Sequence, residues 1–307
     1  MKRLMGSEAV PADLKGGALA LGNFDGVHAG HQAVIGAAVA QAHAAGKPAL
    51  VATFDPHPSL HFRADVPPFA LTSLEQKLHH FEALGVDGAI VIPFDATLAA
   101  HSADEFVAEW LSSQHLGISH VVTGEDFSFG KGRSGNAAVL AELGKAHGFT
   151  ATALAPVGDG ETVSSTRIRA ALASGDMAGA ARLLTRPFAI EGEVVHGDKR
   201  GRLIGSPTAN VDLGLYVRPL YGVYAVKVHL PDGSVQKGVA NLGIRPMFDP
   251  PKEQLETWIF DWSGDLYGQI IEVELIERLR PEMKFDGLDE LIAQIQRDAE
   301  AAKAVLA

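Results

Sequence analysis

Apolar positions along the chain fall into two regimes. From Gly17 to about Pro156, short aliphatic runs alternate with stretches of helical periodicity. Gly17–Ala20, Ala49–Phe54, Gly88–Phe94, Ile118–Gly124 and Thr150–Pro156 read as buried strands, and helices are expected near 30–45, 73–84, 102–115 and 136–147. Ser102 and Glu105 have the spacing of a capping box. Strand and helix in strict alternation imply right-handed crossovers, hence a parallel sheet with helices on both faces. Two more helices are expected near Ser165–Ala173 and Asp176–Leu184.

After Arg186-Pro187 the pattern changes. Phe188–His196, Gly222–Leu230, Ser234–Leu242, Leu255–Phe260 and Ile270–Ile276 are strand-like, separated by turn signals such as Pro231-Asp232-Gly233 and Ser263-Gly264-Asp265. No helix intervenes, so this half reads as an antiparallel barrel or sandwich, closed by a helix near Leu288–Val305. The fold class is therefore α/β plus β, with a domain boundary near residue 185 and no internal repeat.

Composition narrows the function classes. A length of 307 residues exceeds the usual single domain, and 47% hydrophobic with 21% charged residues suits globular packing. The absence of cysteine excludes disulfides, thiolate metal sites and cysteine nucleophiles, and suits a reducing compartment. The N-terminal M-K-R-L-M-G-S-E-A-V-P lacks the apolar core of a secretion signal, and no apolar run reaches membrane-spanning length. A soluble, cytoplasmic protein is expected, monomeric or weakly self-associating and without membrane attachment. The formal net charge of -11 argues against a nucleic-acid partner and leaves small anions, bound where basic residues cluster.

The chemistry concentrates in two stretches. In G-N-F-D-G-V-H-A-G-H-Q, Gly22–Gln32, glycines and two histidines sit where the first strand hands over to a helix. A helix N-terminus offers unpaired N–H groups and a positive dipole end to phosphate. Three residues apart, His28 and His31 would face one side of a helical turn. The second stretch, Val194–Asn210, places Gly197, Gly201 and Gly205 among Lys199, Arg200 and Arg202, a loop that could serve phosphate or be an ordinary turn between strands. Two rival motifs fail. Gly124–Lys131 has the wrong spacing for a Walker loop, with Gly132 where Ser or Thr is needed, and the pairs His57/His61 and His79/His80 lack the partners of a zinc site, which leaves surface or capping roles.

The string Gly22–Gln32, with H-x-G-H at His28-Ala29-Gly30-His31, resembles the adenylyltransferase half of the bifunctional bacterial riboflavin kinase/FMN adenylyltransferases, the FAD synthetases. Phe54-Asp55-Pro56-His57-Pro58, G-E-D-F-S-F-G-K-G-R-S-G from Gly124 to Gly135, and S-S-T-R-I-R from Ser164 to Arg169 agree with it. The family usually has Asn where Asp126 stands. The resemblance implies a Rossmann-like nucleotidyltransferase domain over residues 1–185 and a riboflavin kinase barrel with a terminal helix over 186–307. In the first domain it assigns ATP and phosphate contacts to Gly22, Asn23, Phe24, Asp25, His28, Gly30, His31, Lys131, Arg133, Ser164, Ser165, Thr166 and Arg167. Flavin contacts fall to Phe54, Asp55, His57, Pro58 and Asp126. FMN's phosphate is already ionised, so its attack on the α-phosphate of ATP needs alignment and charge neutralisation but no general base.

In the second domain the resemblance makes Gly197, Lys199, Gly201, Arg202 and Gly205 an ATP loop. Thr208 and Asn210, within Pro207-Thr208-Ala209-Asn210, organise Mg-ATP, and Glu256 is the catalytic base. The nucleophile here is a neutral ribityl hydroxyl, for which a carboxylate base is the expected solution. Strand alternation puts Glu256 on one face with Trp258 and Phe260, opposite Thr257 and Ile259. Arg280, in L-R-P-E-M-K-F, matches a segment near the flavin ring. Ser206 and Met247 depart from the family's common Phe and Thr. They keep open an adenylyltransferase whose barrel binds flavin or ATP without kinase activity; a third reading, a flavin-sensing protein without turnover, is opposed by the intact His28, His31 and Glu256. The expected partners are riboflavin, FMN, FAD and ATP, with Mg2+ as cofactor.

Overall fold

The computed structural model describes residues 1–6, 8–63, 65–112, 116–158, 160–196, 207–245 and 252–307. The chain forms two compact units: Met1–Pro67 with Leu74–Ser164, and Pro68–Ser73 with Ser165–Ala307.

The first unit is built on a parallel sheet of β1 (Lys2–Met5), β2 (Ala18–Leu21), β3 (Ala49–Asp55), β4 (Gly88–Pro93), β5 (His120–Gly124) and β8 (Thr150–Leu154), in the spatial order β1-β4-β3-β2-β5-β8. A small hairpin, β6 (Ser128–Phe129) with β7 (Gly135–Asn136), stands apart. The helices are α1 (Ala29–Ala44), α2 (Pro58–Phe62), α3 (Leu74–Ala83), α4 (Ala96–Ala100), α5 (Ala103–Phe106) and α6 (Ala137–His147). Alternate residues of the central strands enter different cores. Leu19, Leu50, Ile90 and Val121 pack with Phe106, Trp110 and Leu140, while Ala20, Val51, Ala89 and Val122 pack with Val34, Ile35, Leu78 and Phe81. Both faces of the sheet are thus covered, which is why its strands read as unbroken apolar runs.

Three local features depart from the sequence pattern. β1 carries no strand signature, because an edge strand buries only Leu4 and exposes Lys2 and Arg3. The helix expected over 102–115 begins with the capping box, Ser102 and Glu105 bonding reciprocally, and continues as a π-helical turn over Val107–Leu111. The segment after the cis Asp55–Pro56 bond forms the short α2, with His57 as its cap.

The second unit contains α7 (Ser165–Ser174), α8 (Met177–Leu184) and a closed six-stranded barrel. Its strands are β9 (Phe188–Val195), β10 (Thr208–Asp212), β11 (Gly222–His229), β12 (Val235–Arg245), β13 (Lys252–Ile259) and β14 (Ile270–Arg280), all paired antiparallel in the cyclic order β10-β13-β12-β11-β14-β9. Inside lie Ile190, Val211, Tyr224, Val226, Leu255 and Val273. On the outside, Val223, Ala225, Val239 and Phe260 are capped by Ala299, Ala302 and Leu306 of α9 (Leu288–Val305) and the residue that follows it. Ile168, Leu172, Met177 and Leu184 share the core of Phe188, Ile190 and Tyr216. By packing, α7 and α8 therefore go with the barrel, and the compact units divide at Ser164/Ser165, well before the change of pattern at Arg186-Pro187.

Candidate active sites

In the first sheet β2 is flanked by β3 on one side and β5 on the other, so the strand order reverses between β2 and β5. Open α/β sheets bind ligands beyond the carboxyl ends of the strands at such a reversal. The turn Gly22–His28 leaves β2 at this point and enters α1.

The turn is held under strain. Phe24, Gly26 and Val27 have φ of +51°, +88° and +39°, and only glycine adopts that region freely. Non-glycine residues held there cost of order 1–3 kcal/mol each, so surrounding contacts must over-determine the conformation. Those contacts are present. Lys77 Nζ and Thr53 Oγ1 both donate to the Asn23 carbonyl at 3.0 Å, Val27 N–H donates to the Phe24 carbonyl at 3.1 Å, and Gln32 Nε2 donates to the Val27 carbonyl at 2.9 Å. Phe24 is buried, with edge contacts to His31 and Phe81.

His28 caps α1: its Nδ1 accepts the His31 N–H at 3.3 Å. An accepting Nδ1 places the proton of the neutral ring on Nε2, where it is available as a donor. The His28 and His31 rings stack with centroids 3.6 Å apart and planes 17° apart. Gly30 permits this arrangement, since a Cβ there would stand 3.2 Å from the His28 ring and 3.8 Å from the Val163 carbonyl. Burial, then the nearby His28 and Lys77, hold the His31 imidazole well below its ordinary value, so the ring is neutral at pH 7. His31 Nδ1 and Asn23 Oδ1 are buried without a hydrogen-bond partner among the described residues.

The other expected residues of this unit are distributed around the carboxyl edge. Phe54 and Asp55 end β3, Phe54 being buried edge-on to Phe94. His57 Nδ1 accepts from Ser59 N–H at 3.2 Å and Pro58 opens α2. Asp126 is exposed just after β5, its Oδ1 2.8 Å from where a Cβ on Gly124 would stand. Lys131 and Arg133 are exposed on the loop between β6 and β7, Arg133 donating to Ser128 Oγ at 2.8 Å and Lys131 N–H to the His101 carbonyl at 2.7 Å. Among the described residues neither cation contacts the histidines, and the lysine whose charge reaches His31 is Lys77. Ser164 ends the first unit, while Ser165, Thr166 and Arg167 open α7 in the second.

Lys77 is a residue the sequence pattern hid. It lies on α3, within a helix whose other buried positions are Gln76, Leu78 and Phe81. Its only sequence signal is a lysine adjoining a buried stripe.

In the barrel, β10 and β12 flank β13, and the register sets Asn210 opposite Glu256 on one side and Asn241 opposite Glu256 on the other. Directly opposed residues in an antiparallel pair lie about 4.5–5.5 Å apart at Cβ. Asn210, Glu256 and Asn241 therefore form a polar row across three strands. The row lies on the outer surface, because Ala209, Val211, Ala240, Leu242, Leu255 and Ile259 all point into the core. Further along that face, Trp258 and Phe260 meet edge-on at 5.4 Å beneath α9. Asn210 is buried and Glu256 half-buried. Asn241 was not anticipated; the antiparallel register of the consecutive strands β12 and β13 sets it opposite Glu256.

Inside the barrel mouth, Thr208, Ala209, Thr257, Ile259, Trp262 and Tyr267 line a cavity of about 420 Å³. The Thr257 hydroxyl is fully buried there and has no hydrogen-bond partner. Gly197, Lys199, Gly201, Arg202 and Gly205, like Ser206 and Met247, lie outside the described residues. Arg280 grips α9: Nε and Nη2 donate to the two oxygens of the buried Asp298 at 2.8 and 2.7 Å, and Nη1 to the Pro281 carbonyl at 2.8 Å. The carboxylate that Arg280 binds thus belongs to the terminal helix.

A parallel sheet with a histidine-bearing helix terminus at its reversal point, followed by a closed barrel bearing one carboxylate between two asparagines, has the form expected of a two-part nucleotide-using transferase. Comparison with known proteins narrows this. The FAD synthetase family matches residues 10–167, and the riboflavin kinase family matches 184–306. The bifunctional riboflavin kinase/FMN adenylyltransferase of Haemophilus influenzae is 42% identical, covering 95% of this chain and 94% of its own. The Escherichia coli K12 protein of the same name is 42% identical over 95% and 93%. A solved structure from Streptococcus pneumoniae, described as a macrolide-efflux protein, superposes with a TM-score of 0.86 at 29% identity, covering 99% of each chain. Among the described residues of the present chain no helix is long and apolar enough to cross a membrane. The chain belongs to the bifunctional riboflavin kinase/FMN adenylyltransferase family.

Proposed function

We propose that the chain makes FAD in two steps at the two sites described, each with its own way of handling charge. The protein is a transferase with both activities: riboflavin and ATP give FMN and ADP, then FMN and ATP give FAD and pyrophosphate. The observation that carries this reading is that the two family matches, 10–167 and 184–306, each contain an intact set of the residues the chemistry needs.

For adenylylation, an oxygen of the FMN phosphate attacks the α-phosphorus of ATP, and the bond to the bridging oxygen of the β-phosphate breaks to release pyrophosphate. His28 donates from Nε2 and His31 from its one protonated nitrogen to the phosphates crowding the α1 terminus. Gly22, Asn23, Phe24, Asp25 and Gly30 shape the turn, Lys131 and Arg133 close over the phosphates, and Ser164, Ser165, Thr166 and Arg167 receive the leaving pyrophosphate. Phe54, Asp55, His57, Pro58 and Asp126 hold the flavin. No proton has to be removed, so preorganised donors suffice.

For phosphorylation, Glu256 takes the proton of the ribityl hydroxyl as its oxygen bonds to the γ-phosphorus and ADP leaves. Asn210 and Thr208 organise the nucleotide, the loop Gly197–Gly205 holds its phosphates, and the cavity beside Thr208 takes its planar base. Thr208 and Asn210 offer oxygen ligands, the kind preferred by Mg2+, which commonly takes one or two protein ligands and substrate phosphates. When bound, the metal supplies neutralisation of phosphate charge. Residues 1–185 and 186–307 act as the two functional domains, and the protein works in the cytoplasm as a monomer or weak self-associate, without nucleic acid.

A chromatographic time course tests this, with riboflavin, ATP and magnesium in one tube and FMN in place of riboflavin in another. FMN followed by FAD in the first tube is expected. FAD from FMN alone would remove the kinase role from Glu256, and no product in either would overturn the reading.

A further inference from the structure

The ammonium of Lys77 sits in the floor of the first site, and none of the motifs that mark that site includes it. Its side chain is buried, with only 5% of the residue exposed. Its hydrogen-bond partners are both neutral: the Asn23 carbonyl at 3.0 Å and the Thr53 hydroxyl at 3.5 Å. Burying a lysine against neutral oxygens is costly, and a folded protein keeps such a group where it has a task. Asp25 and Asp55, one on the strained turn and one at the end of β3, are the carboxylates whose fields reach it and partly oppose the desolvation that lowers its pKa.

The Asn23 carbonyl is the last backbone group before Phe24 enters the left-handed region, and two donors fix it there. The next residues along the turn are Asp25, Gly26 and Val27, and then the His28 cap. A displacement of the Asn23 carbonyl is therefore carried directly into the stacked histidines. The ATP triphosphate and the FMN phosphate bring further negative charge to a turn that already holds a buried carboxylate. A fixed cation beneath it offsets that charge without occupying the ligand's space.

We propose that Lys77 is a positioning residue for adenylyl transfer: its ammonium pins the Asn23 carbonyl from below and balances Asp25 and Asp55, so that His28 and His31 meet the phosphates in register. This rests on the adenylyltransferase reading of the first site, and Lys77 itself touches neither substrate.

The absence of cysteine from the chain permits a test that separates charge from packing. Lys77→Cys introduces a unique thiol, which is alkylated in urea either with 2-bromoethylamine or with 1-bromopropane before refolding. The adducts have the same length and shape and differ only in ending in an ammonium or a methyl group. Circular dichroism checks refolding, and FAD formation from FMN is compared with FMN formation from riboflavin in the full chain. The unmodified variant and the propyl adduct should lose FAD formation about 100-fold, the size expected of a misplaced reacting group. The aminoethyl adduct should recover to within about fivefold of wild type.

Equal recovery by both adducts would make Lys77 a packing residue and overturn the proposal. So would refolded adducts of which neither recovers, or a Lys77→Cys chain of undiminished activity. Thr53→Val, which removes the second donor to the same carbonyl isosterically, gives an arm that requires no refolding. It should lower kcat for FAD formation about tenfold while FMN formation stays within about twofold; an unchanged kcat counts against the proposal. Wild-type chain never exposed to urea, assayed beside a urea-treated sample that checks refolding, separates the two levels. Failure of the untreated chain to make FAD removes the adenylyltransferase reading itself, whereas failure confined to the variants' predicted pattern removes only the role of Lys77.

Discussion

The first site is made mainly of backbone and the second mainly of strand faces, and the difference follows from their nucleophiles. At the first, the attacking phosphate is already an anion. On the proposed reading the chain meets it with a helix terminus, a strained turn held by Lys77 and Thr53, and two stacked histidines, of which burial keeps His31 neutral. At the second, a neutral hydroxyl has to lose a proton, so a carboxylate is needed, and Glu256 stands between two asparagines on a barrel wall. A site that only orients charge can centre on one contiguous loop, here Gly22–His31, held by distant residues such as Thr53 and Lys77. A site that also moves a proton is assembled here from three strands whose residues are far apart in the sequence.

This contrast predicts separable losses. Glu256→Gln should reduce FMN formation from riboflavin by about 10² to 10⁴-fold, the usual contribution of a general base, and leave FAD formation from supplied FMN within about twofold. Parallel loss of both activities in the chromatographic assay would break the division of labour. Asp298→Ala leaves the Arg280 guanidinium without its buried carboxylate, and urea unfolding should show the barrel unit less stable by about 3–5 kcal/mol. FAD formation should survive in conditions where FMN formation has gone.

His31→Ala should cost about 10² to 10³-fold in FAD formation, the scale of a lost preorganised donor, with FMN formation spared. Gly30→Ala sets a methyl 3.2 Å from the His28 ring and should slow FAD formation about tenfold by displacing that ring.

The smallest effect is a pH dependence of stability. The unfolded chain binds a proton at His31 near the ordinary value of 6.5, whereas the folded site resists it because the ring is buried. Below about pH 6.5 the unfolded state holds more protons, so stability falls as pH drops, by at most ~1.4 kcal/mol per pH unit from this group. Urea midpoints of wild type and His31→Gln between pH 7 and 5 should diverge in slope accordingly. Identical slopes would show that His31 is not held neutral by the fold.

Much of this was legible beforehand, for reasons visible in particular residues. The α/β half announced itself through runs such as Ala49–Phe54, because a sheet covered on both faces makes its strands apolar throughout. The capping box at Ser102 and Glu105 and the cap by His57 are local chemistry and need only neighbours in sequence. β1 and β10 were not legible as strands. Lys2–Met5 buries a single side chain at an edge, and Thr208–Asp212 reads as a loop motif until barrel closure pairs it with β9 and β13. The assignment of α7 and α8 by packing was equally hidden, since an amphipathic helix shows that it has an apolar face but not which core receives it.

By itself, the sequence determined the two regimes of periodicity, the helix terminus at His28, and the residue types that phosphate chemistry requires, because these depend on spacing within a few positions. Tertiary structure alone decided that the strand order reverses at β2, that Lys77 lies beneath Asn23, and that Asn241 stands beside Glu256 opposite Asn210. Each joins residues distant along the chain, and what sets their contact is strand order, register and burial, which no local pattern encodes.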